Sequence, residues 1–280
     1  MRLTTILALV ICITVQVSAQ RNDIKLSLKD EQLNLTRQVS SRSVDPVQKK
    51  TPKEKDFTFT VNPYLWTVAI GGSVQHSSSL PYYFDLNFTD AVKDWKMAAM
   101  LAGRFKYKSV SLLYDVVYLS MKPDLYVPVY TGYASGTSDI KQFVGDFSLA
   151  YRIPLNIRTI QLDFYGGVRV WSLDTKIDLT SSYGPTYSND NSKTWVDPII
   201  GVGGYFVLSK VWFSYFKADI GGFSVASDWT STFAWAFGYK FSDHWNTSLG
   251  LKHLNIDYDK DKFMWDVSEY GLLLTLGYQF

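Results

Sequence analysis

Residues 160–171 read Ile-Gln-Leu-Asp-Phe-Tyr-Gly-Gly-Val-Arg-Val-Trp. One parity is Ile160, Leu162, Phe164, Gly166, Val168 and Val170; the other is Gln161, Asp163, Tyr165, Gly167, Arg169 and Trp171. Successive side chains of a strand point to opposite faces, so this stretch is a strand with one apolar and one polar face. In 211–227, Trp212, Phe216, Ala218 and Ile220 likewise oppose Lys217 and Asp219, and in 229–242 Phe233, Trp235, Phe237 and Tyr239 oppose Thr232, Ala234, Ala236 and Lys240.

The same period of two runs from Phe57 to Phe280. It divides into ten segments, at about 57–76, 96–108, 110–121, 140–153, 160–180, 193–208, 211–227, 229–242, 245–259 and 266–280. Short connections fall at Lys108-Ser109, Pro154 to Thr159, Ser209-Lys210 and Ser242 to His244, with a tight one near Ser227-Asp228; longer ones are 77–95, 122–139, 181–192 and 260–265. Residues 82–95 are too apolar for a bare loop and read as a strand extension followed by a helical turn. Alternating long and short connections with an even strand count are the pattern of a membrane barrel, whose turns are short on one side and longer on the other. The expected fold is all-β, an antiparallel transmembrane β-barrel of about ten strands (eight to twelve) preceded by a flexible tether.

Alternation alone does not say which face meets lipid, because a soluble barrel puts its apolar set inward. Three features choose the inverted arrangement. No formal charge falls on the apolar parity through the membrane-depth part of the ten segments, where an Arg or Lys would cost roughly 2–4 kcal/mol. Tyr107, Tyr151, Trp212, Tyr239, Phe241, Trp245 and Tyr278 collect on that parity beside short turns or the C-terminus, as a girdle at headgroup level does. Finally, Leu272, Leu274, Leu276, Tyr278 and Phe280 alternate to a terminal aromatic residue. Leu274, Leu276, Tyr278 and Phe280 resemble the C-terminal strand signal that the barrel-assembly machinery reads.

The first residues suit export. Arg2 precedes the apolar run Ile6 to Val15, and Val17-Ser18-Ala19 fits a cleavage site. Ten apolar residues are too few for a spanning helix, which needs roughly 20, so a signal peptide over 1–19 is expected, cleaved after Ala19. The single cysteine, Cys12, lies inside it and lacks the small residue that a lipoprotein site needs just before it. Residues 20–56 are polar and free of aromatics, the composition of a disordered tether, here on the periplasmic side. Residues 57–280 form the expected outer-membrane barrel. Without Arg2 the chain carries 27 basic against 26 acidic residues, so nothing points to a nucleic-acid partner. Aromatic content is high, at 16%.

Several short motifs carry a further likeness. They are Tyr64-Leu65-Trp66 with Gly71 or Gly72, Trp195-Val196-Asp197-Pro198 with Gly201, Asp219-Ile220-Gly221-Gly222-Phe223 with Ser227-Asp228, Gly238-Tyr239-Lys240-Phe241-Ser242-Asp243, and Leu249-Gly250. In these the chain resembles a widespread family of uncharacterised, porin-like outer-membrane β-barrels of Gram-negative bacteria, from about residue 60 to the end. The resemblance implies the barrel and its place in the outer membrane; it brings no catalytic residue and no ligand. Expected partners are outer-membrane lipid, the barrel-assembly machinery and periplasmic chaperones, with any external ligand unknown.

On the inward parity stand six acids (Asp115, Asp146, Asp163, Asp197, Asp219, Glu269) and seven bases (Arg104, Lys106, Arg152, Arg169, Lys217, Lys240, Lys252). Near-equal signs in a confined interior predict a paired lumen network, since an unpaired buried charge costs several kcal/mol. Tyr64, Trp66, Tyr165, Trp171, Tyr205 and Tyr215 share that face and take up volume. About 8 strands are just filled by side chains, whereas 16–18 leave a channel, so little free bore is expected. The glycine pairs Gly166-Gly167, Gly203-Gly204 and Gly221-Gly222 make no phosphate loop and read as room for facing rings. Pro198 sits on the lipid side, where a missing ladder bond is tolerable. Of three histidines, His244 falls in a short turn, His253 on the lipid parity, and only His76 near an external cleft; no motif supplies a base with its partner, so no enzyme is expected. Asp257, Asp259 and Asp261 lack a calcium-loop pattern, and neither metal nor cofactor is implied. Two functions remain open: a narrow passive channel for small polar solutes, or a non-conducting structural or surface-binding barrel acting through its external loops.

Overall fold

A computed structural model describes residues 56–76, 82–122, 124–129, 132–181 and 187–280. The expected signal peptide and all but the last residue of the expected tether lie outside the described residues. Glu54–Phe280 forms one compact unit.

Ten strands make the wall. The first is continuous in register but broken at Thr67-Val68 into β1 (Phe57–Trp66) and β2 (Ala69–His76), both antiparallel to the last strand. There the Leu272 N–H donates to Thr67 Oγ1 at 2.8 Å, and Val68 N–H turns back to Trp66 O. β3 (Tyr82–Leu86) pairs with β2, and the short helix α1 (Phe88–Asp94) leads into β4 (Trp95–Tyr107). β5 (Val110–Met121) follows, then β6 (Asp124–Val129), which pairs only with β7 (Gly132–Ile153). β8 (Ile160–Ser181), β9 (Tyr187–Val207), β10 (Trp212–Gly222), β11 (Trp229–Lys240), β12 (Trp245–Lys260) and β13 (Phe263–Gln279) complete the chain. Neighbours in the wall are antiparallel in the order β1-β4-β5-β7-β8-β9-β10-β11-β12-β13, and β13 closes on β1 with Thr60 opposite Gln279. Closure leaves no sheet edge in the wall.

The ten segments of the sequence are these ten wall strands, and 82–95 is indeed a strand followed by a helical turn. The loops are shorter than expected. Residues 122–139 and 181–192 largely continue the ladder, as β6 with the start of β7 and as the ends of β8 and β9. The connection expected at 260–265 is a two-residue turn, with Asp261 and Lys262 both at positive φ. The segment expected to run to residue 227 ends at Gly222, where Phe223 and Ser224 turn at positive φ.

The reason lies in a change of phase. In β7, β8 and β13 the outward apolar parity runs over 143–153, 160–170 and 270–280, close to the 9–11 residues that a tilted strand needs to cross a bilayer. Outward Leu149, Phe164, Phe237, Leu249 and Leu274 stay half or more exposed. Beyond this belt the apolar set switches to the inward parity. In β12 the outward row Leu249-Leu251 gives way to His253, Asn255 and Asp257, while the inward row becomes Leu254, Ile256 and Tyr258, all buried. In β13 the inward row beyond Glu269 is Val267, Trp265 and Phe263, and in β8 beyond Arg169 it is Trp171 and Leu173. The wall is inverted within the belt and built like a water-soluble barrel above it.

Local packing follows from ring placement. A Cβ on Gly204 would meet the Phe216 ring at 2.2 Å, and one on Gly238 the Phe213 ring at 2.0 Å, so these glycines make room for aromatic side chains. At the short-turn end the girdle rings touch one another: Trp245 and Tyr278 meet edge to face with centroids 4.7 Å apart, and Trp212 and Tyr239 lie 5.0 Å apart.

Phe280 seals the closing pair. Its N–H donates to Phe59 O at 2.9 Å and its ring stacks on Phe59 with centroids 5.3 Å apart. Phe280→Asp is expected to reduce both outer-membrane insertion and the heat-modifiable folded band on SDS gels. Wild-type amounts of folded variant would contradict this role.

Candidate functional site

The lumen is built in layers by the inward rows of the wall. At the short-turn end, Asp163 on β8 takes Arg152 Nε at 2.5 Å and Arg104 Nη2 at 2.7 Å. Arg152 Nη1 also donates to Gln161 Oε1 at 2.7 Å. Lys240 is in no ion pair among the described residues; its ammonium lies 5.6 Å from the Tyr205 ring centre and 5.8 Å from that of Phe213.

The second layer centres on Arg169, which has no exposed surface. Its Nε donates to Asp146 Oδ1 at 2.7 Å, and its Nη2 lies 2.9 Å from Asp146 Oδ2, 2.9 Å from Asp219 Oδ1 and 2.6 Å from Thr232 Oγ1. Nη1 donates to Thr230 at 3.0 Å. Lys217 adds a 2.9 Å bond to Asp146, and Lys252 reaches Asp115 at 3.0 Å and the Tyr64 hydroxyl at 2.9 Å. Tyr64 donates to Asp115 at 2.6 Å, and Tyr165 donates to Asp219 at 3.0 Å. Three cations therefore meet three carboxylates across strands on opposite sides of the lumen.

The third layer is apolar. Trp66, Val68, Val117, Leu119, Val144, Trp171, Trp195, Ile256, Tyr258, Phe263, Trp265 and Val267 belong to one buried cluster. Trp195 stacks on Tyr258 at 4.2 Å and lies 5.8 Å from Trp171. Each such side chain, once buried, contributes roughly 1.5–3 kcal/mol. Glu269 sits at the junction of the two upper layers and accepts 2.6 Å from Gln142 Nε2. A cavity lined by Asp115, Asp146, Arg169, Lys252, Val144 and Leu254 has room for about one water.

A belt without charges outside, paired charges inside and a wall with no open edge suit immersion in lipid. The chain has the fold of an outer-membrane β-barrel. No described protein family and no curated protein matches it by sequence. Among solved structures it is similar to the outer membrane protease OmpT of Escherichia coli, at 11% identity and a TM-score of 0.41 over 82% of this chain and 99% of that one. The translocator domain of the autotransporter NalP of Neisseria meningitidis aligns at 10% identity and a TM-score of 0.41, covering 94% of this chain and 98% of its own. The attachment invasion locus protein Ail of Yersinia pestis aligns at 12% identity and 0.33, over 80% and 98%.

Of the thirteen charged residues singled out from sequence, the structure brings six into the Arg169 layer, Asp115, Asp146, Arg169, Lys217, Asp219 and Lys252, while Lys106 stands on the inward row of β4 two residues past Arg104. Arg104, Arg152 and Asp163 form the separate cluster below. Lys240 and Glu269 are placed as described above. Asp197 is directly opposite Arg169 in the ladder, yet it accepts from Ser227 N at 2.7 Å and Ser227 Oγ at 2.6 Å, and makes no ion pair among the described residues. Trp195 Nε1 donates to the same Ser227 Oγ at 3.0 Å. The Asp197 carboxylate thus fastens the turn between β10 and β11 into the mouth, a role that a parity count cannot reveal.

The apolar layer is the part that alternation missed. Its signal is the phase switch itself, which reads as a weakening of the pattern if only the lipid face is followed. On the outer face, His253 Nε2 and Ser268 Oγ lie 2.8 Å apart. Among the described residues no acid is hydrogen-bonded to this imidazole, and His253 and Ser268 stand on paired strands of the outer face. Outside the belt, a hydrogen bond from Lys96 at 2.5 Å holds the Asp139 carboxyl below the usual carboxylate range.

Arg169→Gln leaves Asp146 and Asp219 with Lys217 as their remaining cation. Removing one partner of a buried pair costs about 3–5 kcal/mol, so the folded-to-unfolded gel shift should move down by roughly 6–20 °C. An unchanged transition temperature would mean that water already carries these charges.

Proposed function

We propose that this outer-membrane barrel does not conduct and serves as a sealed anchor for the β-ribbons it raises outside the membrane. Trp66 and Val267, both without exposed surface, support the reading most directly, because they belong to the apolar layer that crosses the lumen just above the ion-paired one. A passive channel for small polar solutes needs a continuous wet path. Here a solute would first separate paired charges and then cross a stack of indoles and aliphatic side chains.

The strands beyond the belt favour an outward role. β7, β8 and β9 are 22, 22 and 21 residues long, about twice what the bilayer requires. Their outer parts expose polar side chains outward, among them Asp174, Lys176 and Ser192. A buried apolar core stiffens these ribbons and holds the surface they present in one shape.

Single-channel recording on refolded full-length protein in planar bilayers tests the proposal. Insertion confirmed by heat-modifiable migration, with no steady conductance steps, is the expected result. Steady ohmic steps from wild-type protein would defeat it.

A further inference from the structure

We propose that the periplasm-facing mouth of the lumen is a binding site for an oxyanion, a ligand carrying a carboxylate or phosphate group. The residues form a connected arc on inward rows. Lys240, at the end of β11, lies over Tyr205 and Phe213. Tyr205 stands opposite Gln161 in the β8–β9 ladder. Gln161 holds Arg152, and Arg152 converges with Arg104 on Asp163.

Charge is out of balance here, in contrast to the layer above. Around Arg169 three cations face three carboxylates. At the mouth Arg104 and Arg152 share the single carboxylate of Asp163 and Lys240 stands beside them without an ion pair, a net charge of +2 among these described residues. Both Asp163 oxygens are already occupied. Arg104 spends only Nη2 on them, so Nε and Nη1 have no acceptor among the described residues, and neither has the Lys240 ammonium. Asn62 and Asn246 bring amide groups together beside Gly277 on the same side of the lumen.

The arc is also wet enough to be reached. The Arg104 side chain is 28% exposed and that of Arg152 is 18%, whereas Arg169 is fully enclosed. Positive charge between low-dielectric walls concentrates the field and draws in anions. A planar guanidinium with free N–H groups matches the paired oxygens of a carboxylate or phosphate, and an ammonium adds a point charge. The aromatic floor of Tyr205 and Phe213 accepts the apolar part of such a ligand. Because the ion-paired layer forms the ceiling, the ligand enters and leaves by the periplasmic end. The blind ceiling rests on the sealed lumen proposed above; the excess charge does not.

Calorimetric titration of refolded full-length protein with inorganic phosphate and, separately, with citrate at low ionic strength tests the site. Saturable one-site binding of at least one anion is expected, weakening as salt is added. Lys240→Gln or Arg104→Gln should lower the affinity about tenfold, the loss of one charged hydrogen bond. Lys141→Gln, on the outer face at the opposite end, should leave it unchanged. Binding of phosphate alone or of citrate alone assigns the ligand class. Absence of saturable binding by gel-verified folded protein, or equal weakening in the Lys141 variant, would overturn the proposal. Conductance recorded on the same preparation separates the two readings: an open pore that still binds refutes the seal and keeps the site, and a silent barrel that binds neither anion refutes the site alone.

Discussion

In hydrocarbon every backbone N–H and C=O has to find its partner within the protein, and the antiparallel contact of β13 with β1 is what makes that possible here. A ten-stranded sheet left open would expose a row of such groups on each edge. Once it closes, the outward face is free to be apolar and the inward face must carry whatever polarity the sequence contains. The terminal aromatic residue stacked on Phe59, the short turns and the even strand number all serve that closure.

Closure of a ten-stranded wall then sets the problem of the lumen. The interior is too narrow to solvate many charges and too wide to be filled by small residues. The chain answers with two kinds of filling at two heights. Within the belt, Arg169 joins Asp146 on β7 to Asp219 on β10, with Thr230 and Thr232 of β11 taking its remaining donors. Above the belt the outer face meets water again, so polar residues move outward and apolar ones move in. This is ordinary hydrophobic burial, and it allows β7, β8 and β9 to rise beyond the bilayer without unsupported loops. The Asp197–Ser227 clamp then draws the β10–β11 turn against Trp195, at the rim of the apolar core.

The belt was legible in the sequence because period-two alternation with one pure face is a strong signal, and Phe164 or Leu249 can occupy few other environments. The inward charges were legible as a set for the same reason. Their pairing was not: Asp197 and Arg169 are neighbours in the ladder and still choose different partners, a matter of side-chain direction rather than parity. The outer parts of β7 and β9 read as loops because outside the bilayer neither face must be uniformly apolar. Thus Ser188, Asp190 and Ser192 on one row of β9 look like solvated loop residues, although the backbone ladder runs through them unbroken. The apolar layer was half visible, in Trp66 and Trp171, but its extent depends on a phase switch repeated in several strands.

A barrel that does not conduct requires a lumen closed at the level of Val267. The most direct measurement is the reactivity of single cysteines with a membrane-impermeant maleimide in folded protein, on a Cys12→Ser background because Cys12 is the only native cysteine. Asn246→Cys, near the periplasmic mouth, should react when reagent has access to that side. Val267→Cys and Ile256→Cys, at 0% and 1% exposure, should stay unmodified from either side until the barrel is unfolded by boiling. Rapid labelling of Val267→Cys in the folded barrel, at a rate comparable to Asn246→Cys, would contradict the sealed lumen.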